Sequence, residues 1–190
     1  MTAASHESVA SIRLATTADR WDLDRLIAMS VRGLASEYHT PDEIESSLRY
    51  LFGVDSRLID DGTYYVIEGP DGILASGGWS RRKTPFGGDN AEIRDDGFRD
   101  PARDPAAIRA FFAAPHAVRQ GLGRMILERC EEECRTAGFG AVELVATRMG
   151  LAFYGACGFE SIETVMISLP DGVTIEAFRM SKGLSKRVDV

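Results

Sequence analysis

Residues 111–130 read FFAAPHAVRQGLGRMILERC. Small and apolar residues run to Pro115, a short polar loop follows, and helical periodicity then begins. Gly121 and Gly123 stand at the head of that helix, between Arg119 and Arg124. The first turn of a helix has amides without intrahelical partners and a partial positive charge. Glycine lets the backbone approach an anion closely and takes positive φ without steric cost. Val118, Arg119, Gln120, Gly121, Leu122, Gly123 and Arg124 therefore hold the parts of a diphosphate cradle. The same residues also make sense as a tight strand-to-helix turn with solvated arginines.

Two other phosphate loops do not fit. The P-loop needs Gly-x-x-x-x-Gly-Lys-Ser/Thr, and neither that spacing nor the lysine is present. The dinucleotide fingerprint needs a third glycine where Ile126 stands. Glu143 lies about where a ribose-binding acid would sit, but inside a strand pattern rather than at its end. Pro115–Gln120 also separates strand from glycines, where the dinucleotide motif turns directly.

The chain has 190 residues and fits one domain. It is 44% hydrophobic, enough for a sizeable core, and its mean hydropathy is −0.12, which predicts a soluble globular protein. The net charge of −7 and the lack of a basic stripe with interleaved aromatics argue against a nucleic-acid partner. Cys130, Cys134 and Cys157 suggest no disulfide framework. Cys130 and Cys134 share a helix face and read as inert buried thiols, and with only three histidines far apart in sequence no metal site is expected. No apolar run approaches membrane-spanning length, and MTAASHESVA lacks the pattern of a secretory signal, so a cytoplasmic location is expected.

Residues 1–10 read as a flexible lead to a single domain over 11–184. SIRLA (11–15) alternates like a strand. Residues 16–38 read as a helix capped by Thr16 or Thr17, with Trp21, Leu23, Leu26, Ile27 and Leu34 on its apolar face. Thr40, Pro41 and Glu43 open a second helix that Gly53 is expected to end. TYYVIEG and GILASGGWS flank Pro70–Gly72 as a hairpin. Residues 81–105, rich in Gly, Pro, Asp and Arg, form a loop insertion. AAIRAFFAA is a strand. The helix after the glycines stops at Gly138. AVELVAT is a buried strand, GLAFYGACG a short helix, and the chain closes on a hairpin over Pro170–Gly172. The order β-α-α-β-β-β-α-β-α-β-β predicts an α+β fold, a mixed α/β sandwich around a largely antiparallel sheet.

Two segments together carry a resemblance. PHAVRQGLGRMIL resembles the coenzyme A diphosphate loop of the GNAT superfamily of N-acetyltransferases, Gln/Arg-x-x-Gly-x-Gly/Ala after a strand that ends near a proline. Gly121 and Gly123 match, and Val118 stands where Gln or Arg is usual. TRMGLAFYGACGFES (147–161) resembles the family's Asn-x-x-Ala-x-x-Phe-Tyr-x-x-x-Gly-Phe segment. Phe153, Tyr154, Gly158 and Phe159 match, while Thr147 replaces the Asn and Gly150 the Ala.

The resemblance implies a sheet splayed between IRAFFAA and AVELVAT, flanked by helices, with acetyl-CoA as co-substrate in the gap. It implies coenzyme contacts from Phe112, Ala113, the 118–124 loop, Thr147 and Tyr154. Strands that part leave amides and carbonyls free to pair with a pantetheine arm. It also implies a role for Tyr154, whose hydroxyl suits protonation of a departing thiolate. On spacing alone, the rings of Phe153 and Tyr154 read as core packing.

The base that deprotonates the incoming ammonium stays open among Glu143, Glu92 and His116, each of which also reads as a surface charge. Cys157 reads as core, because direct transfer needs no thiol nucleophile. Asp95, Asp96 and Asp100 in the insertion either attract a cationic amine or pair with the neighbouring arginines. Trp79 and Phe86 are candidate walls of an acceptor pocket, with Tyr38 and His39 weaker ones. The function expected is acetyl transfer to a primary amine. The alternative is a non-catalytic acyl-CoA-binding sensor. An exposed apolar edge on the last hairpin would favour a homodimer.

Overall fold

The computed structural model describes residues 11–70, 72–92 and 94–185, so the reading of residues 1–10 lies outside the described residues. A seven-stranded sheet organises the chain. Its strands are β1 (Ile12–Leu14), β2 (Tyr64–Gly69), β3 (Gly72–Ser80), β4 (Ala106–Ala113), β5 (Ala141–Thr147), β6 (Glu160–Ser168) and β7 (Thr174–Gly183). They lie in the order β1-β2-β3-β4-β5-β7-β6. Every neighbouring pair is antiparallel except β4 and β5. The fold is thus the mixed α/β arrangement that the element order predicts.

Among the described residues, five α-helices flank the sheet: α1 (Arg20–Leu34), α2 (Pro41–Tyr50), α3 (Ser56–Asp60), α4 (Leu122–Thr136) and α5 (Leu151–Ala156). Asp19, just ahead of α1, accepts from the Thr16 amide at 2.7 Å and hydroxyl at 2.9 Å, and from Arg13. The buried stripe of α1 is Leu23, Leu26, Ile27 and Val31. Trp21 does not join it and is 68% exposed under the Arg25 guanidinium. Two residues before Leu23 is about 200° round the helix, which points Trp21 away from the core. The start of α2 follows its capping residues: Glu43 N–H donates to Thr40 Oγ1 at 3.3 Å, and Thr40 N–H to Glu43 Oε2 at 2.8 Å. Its end does not follow Gly53, because the helix stops at Tyr50. Gly53 is needed instead for a close approach, since a Cβ there would lie 2.9 Å from Asn90 Nδ2.

The two faces of the sheet are distinguished by neighbouring glycines on β3. A Cβ on Gly77 would strike Phe111 and Ile126 of α4; one on Gly78 would strike Leu58 of α3. Successive strand residues point to opposite faces, so α3 and α4 cover opposite sides. Phe52, after α2, meets Phe112 edge to face at 5.8 Å, which puts α2 on the α3 side. Cys130 and Cys134 are buried in the core under α4. Edge strand β6 exposes Ile162 and Met166. Among the described residues no helix is long and apolar enough to cross a membrane.

Candidate active site

The parallel pair β4·β5 holds only at its start, Ala106 to Val142 and Ala107 to Glu143. Beyond that register the strands part. The first four residues of β4 are buried and the last four, Ala110–Ala113, are partly exposed. A bulge begins where the change occurs. Gly78 faces Arg109 and Ser76 faces Phe112, so Gly77 alone spans Ala110 and Phe111. Ala110 takes φ +57°, a left-handed conformation that strains an L-residue. Its carbonyl accepts from Ser76 Oγ at 3.3 Å, and Ser76 in turn accepts from the Tyr64 hydroxyl at 3.3 Å. The Ala113 amide donates to Ser30 Oγ at 3.3 Å.

At the open end of β4 the chain turns through Pro115–Gln120 into α4. Arg119 has φ +65° and Gly121 φ +83°. The amides of Gly121, Leu122, Gly123 and Arg124 meet no protein acceptor among the described residues. Gly121 faces open space, whereas a Cβ on Gly123 would come 3.2 Å from Phe153 Cζ. The second glycine therefore seats α5 against the head of α4. Arg119 and Gln120 are exposed, as is Arg124, which donates to the Ala156 carbonyl at 3.3 Å. Val118 is partly buried and Leu122 belongs to the core.

Tyr154 sits on α5 with its ring packed against Phe153, Phe159 and Phe111, at centroid distances of 5.0, 5.6 and 6.2 Å. Its hydroxyl has no hydrogen-bond partner among the described residues, and burial pushes its pKa up. A tyrosine in that state is a proton donor, not a base. Gly150 leaves room for it: a Cβ there would approach Tyr154 Cε2 to 3.1 Å. Thr147 ends β5 on the far lip of the splay and borders a cavity of about 10 Å³ shared with His39, Val31 and Phe52.

The remaining candidates separate. Glu143 lies at the closed end, paired with Arg99 at 2.6 Å and Arg179 at 3.1 Å, so it is a brace. Glu92 and His116 are exposed. Burial raises the pKa of the Cys157 thiol and keeps it protonated. Within 81–105, Asp95 accepts from the Gly97 amide, Asp96 pairs with Arg57, and Asp100 caps the Ala102 amide. These acids are exposed, and each also contacts one of the protein's own groups. Arg99, Arg82 and Thr84 pin the segment down. Trp79 packs on Phe139, on the α4 face, and Phe86 packs beneath the β6–β7 hairpin. Tyr38 is exposed.

Sequence reasoning missed Asp55 and Arg109, a buried pair 2.8 Å apart just before the bulge. Desolvation raises the carboxyl pKa and lowers that of the guanidinium. Their separation along the chain gave no spacing signal. Ser30, Ser76 and Tyr64 were missed for the same reason.

This geometry matches known proteins. The model of the acetyltransferase (GNAT) family matches residues 30–159. The chain belongs to the GNAT family of acetyltransferases. No curated protein sequence matches it. Solved GNAT structures share its fold at low identity. A GCN5-related N-acetyltransferase from Rhodopseudomonas palustris aligns with TM-score 0.67 and 13% identity, over 93% of this chain and 97% of that one. PaiA N-acetyltransferase from Thermoplasma acidophilum, in complex with coenzyme A, aligns with TM-score 0.66 and 14% identity, over 92% and 99%. A phosphinothricin acetyltransferase from Sinorhizobium meliloti, in complex with AcCoA, aligns with TM-score 0.60 and 22% identity, over 93% and 89%.

Proposed function

We propose that this GNAT protein moves an acetyl group from acetyl-CoA to a primary amine by direct attack within a ternary complex. The observation that carries the reading is the splay: β4 and β5 pair for two residues and then open toward the glycine loop. Acetyl-CoA supplies the activated acyl thioester. The free amides of Gly121–Arg124 hold its diphosphate, with Arg119 and Arg124 adding charge. Backbone groups of Phe112 and Ala113 take the pantetheine arm, with Val118, Gln120, Leu122 and Thr147 lining its course. Ser30 competes for the Ala113 amide at a 3.3 Å contact, long enough to yield. Tyr154 keeps its proton and gives it to the departing sulfur. No thiol nucleophile is required, in keeping with the buried, protonated cysteines.

Thiol release from acetyl-CoA, followed across a panel of amines, tests the reading. At least one amine is expected to turn over. Tyr154→Phe is expected to cut kcat about 100-fold, the scale of general acid catalysis, with coenzyme A affinity unchanged on calorimetry. Tight binding without transfer to any amine would favour a sensor module. Absence of coenzyme A binding would defeat both.

A further inference from the structure

The base that frees the amine is the part of the reaction left without a residue, and the structure narrows it. Glu143 is held by two arginines at the closed end of the splay. Glu92 and His116 face solvent. One titratable side chain does border the cavity on the α2 side of the open end. That cavity is lined by Val31 of α1, Ala35 just after it, Phe52 after α2, Thr147 of β5, Ile175 of β7, and His39. Its volume of about 10 Å³ suits a group the size of water or an ammonium head. Phe52 connects it to the slot, because the Phe52 ring packs on Phe112 at 5.8 Å, and Phe112 lies on the open half of β4. Thr147 forms the opposite lip. The cavity therefore meets the splay from the face away from α4.

We propose that His39 accepts the proton from the acceptor ammonium in this cavity, and that Glu43 orients it. The inference rests on the transferase reading above. His39 follows α1 in a turn fixed by its own N–H, which donates to the Ala35 carbonyl at 2.9 Å. Its side chain is 13% exposed, and Nδ1 stands 3.5 Å from Glu43 Oε2. Glu43 is itself positioned by the reciprocal cap with Thr40. A carboxylate beside Nδ1 keeps the proton on that nitrogen and leaves Nε2 as the acceptor. Nε2 has no hydrogen-bond partner among the described residues. Among the described residues, Glu43 is the charged group against His39, and the cavity's other walls, from α1, α2, β5, the turn after it and β7, carry none.

The step balances. His39 takes one proton from R–NH₃⁺, and the freed lone pair forms the C–N bond to the thioester carbonyl. The C–S bond breaks with its electron pair on sulfur, which takes the Tyr154 proton. The second surplus proton on nitrogen restores Tyr154 through water, and His39 releases its proton to solvent.

The test uses the full chain with the amine that the panel identifies. His39→Gln is expected to lower kcat about 100-fold, with KM for acetyl-CoA unchanged, and to erase the acid limb of the pH profile. His39→Ala is expected to regain rate with added imidazole, and Glu43→Gln to lose rate less. A His39→Gln enzyme of undiminished rate, or one that keeps the acid limb, overturns the proposal. So does failure of imidazole to rescue His39→Ala. A wild-type protein inert toward every amine instead sinks the transferase reading itself, and this assignment with it.

Discussion

The first and last four residues of β4 are built to opposite ends. Ala106–Arg109 are buried, and the first two pair with β5. Arg99 and Arg179 grip Glu143 beside them, and Arg109 is buried against Asp55. In Ala110–Ala113, Phe112 and Ala113 keep their pairing with β3, Ala110 and Phe111 form the bulge, and none pairs with β5. There the contacts are single hydroxyls, from Ser76 to Ala110 and from Ser30 to Ala113. Backbone groups in a protein interior must find partners. At the closed end the sheet and its ion pairs supply them. At the open end they remain for a ligand.

Removing the clamp gives the largest effect on the fold. Glu143→Ala leaves Arg99, whose side chain is 9% exposed, without its carboxylate. Breaking a buried pair from one side costs about 3 kcal/mol, readable as a lower urea midpoint. If the two ends are independent, coenzyme A affinity stays within about threefold of wild type, under 1 kcal/mol. A loss beyond about tenfold (1.4 kcal/mol) would show instead that the clamp sets the width of the slot.

Gly121→Val probes the other end. Gly121 has φ +83° with no protein atom near a Cβ, so the cost is backbone strain rather than collision. A β-branched residue there loses about 1–2 kcal/mol of stability. The larger readout is binding: the side chain projects into the space before the free amides. Coenzyme A affinity on calorimetry is expected to fall about tenfold or more, about 1.4 kcal/mol. Unaltered affinity would remove the glycine loop from the cofactor site.

What could be read beforehand follows the range of the interaction. Caps are local, so Thr40, Pro41 and Glu43 mark the start of α2 within four residues. Gly138, at φ +91°, ends α4 as its position suggested. The splay itself was implied by likeness to a family; no periodicity marks where two parallel strands cease to pair. The five-residue α3 is too short to show a helical period. Glu143 looked like a free acid because Arg99 and Arg179 are 44 and 36 residues away. His39 was read as a weak wall residue, and only folding brings it beside Thr147. The bulge was hidden because alanine carries no sign of a left-handed backbone.

That last residue allows the finest contrast between the two ends. Ala107 is buried in regular parallel pairing with Glu143. Ala107→Gly adds backbone freedom to the unfolded chain and is expected to cost about 1 kcal/mol. Ala110 sits at φ +57°, where an L-residue pays about 1–2 kcal/mol that glycine does not. In Ala110→Gly this relief offsets the entropic loss, so stability is expected to stay within about 0.5 kcal/mol of wild type. Denaturant midpoints of the two variants decide it. Equal losses would mean that the Ala110 methyl is held by packing as firmly as that of Ala107. The bulge would then be an ordinary piece of sheet, and the strain at the mouth of the slot would no longer need the slot's function to explain its persistence.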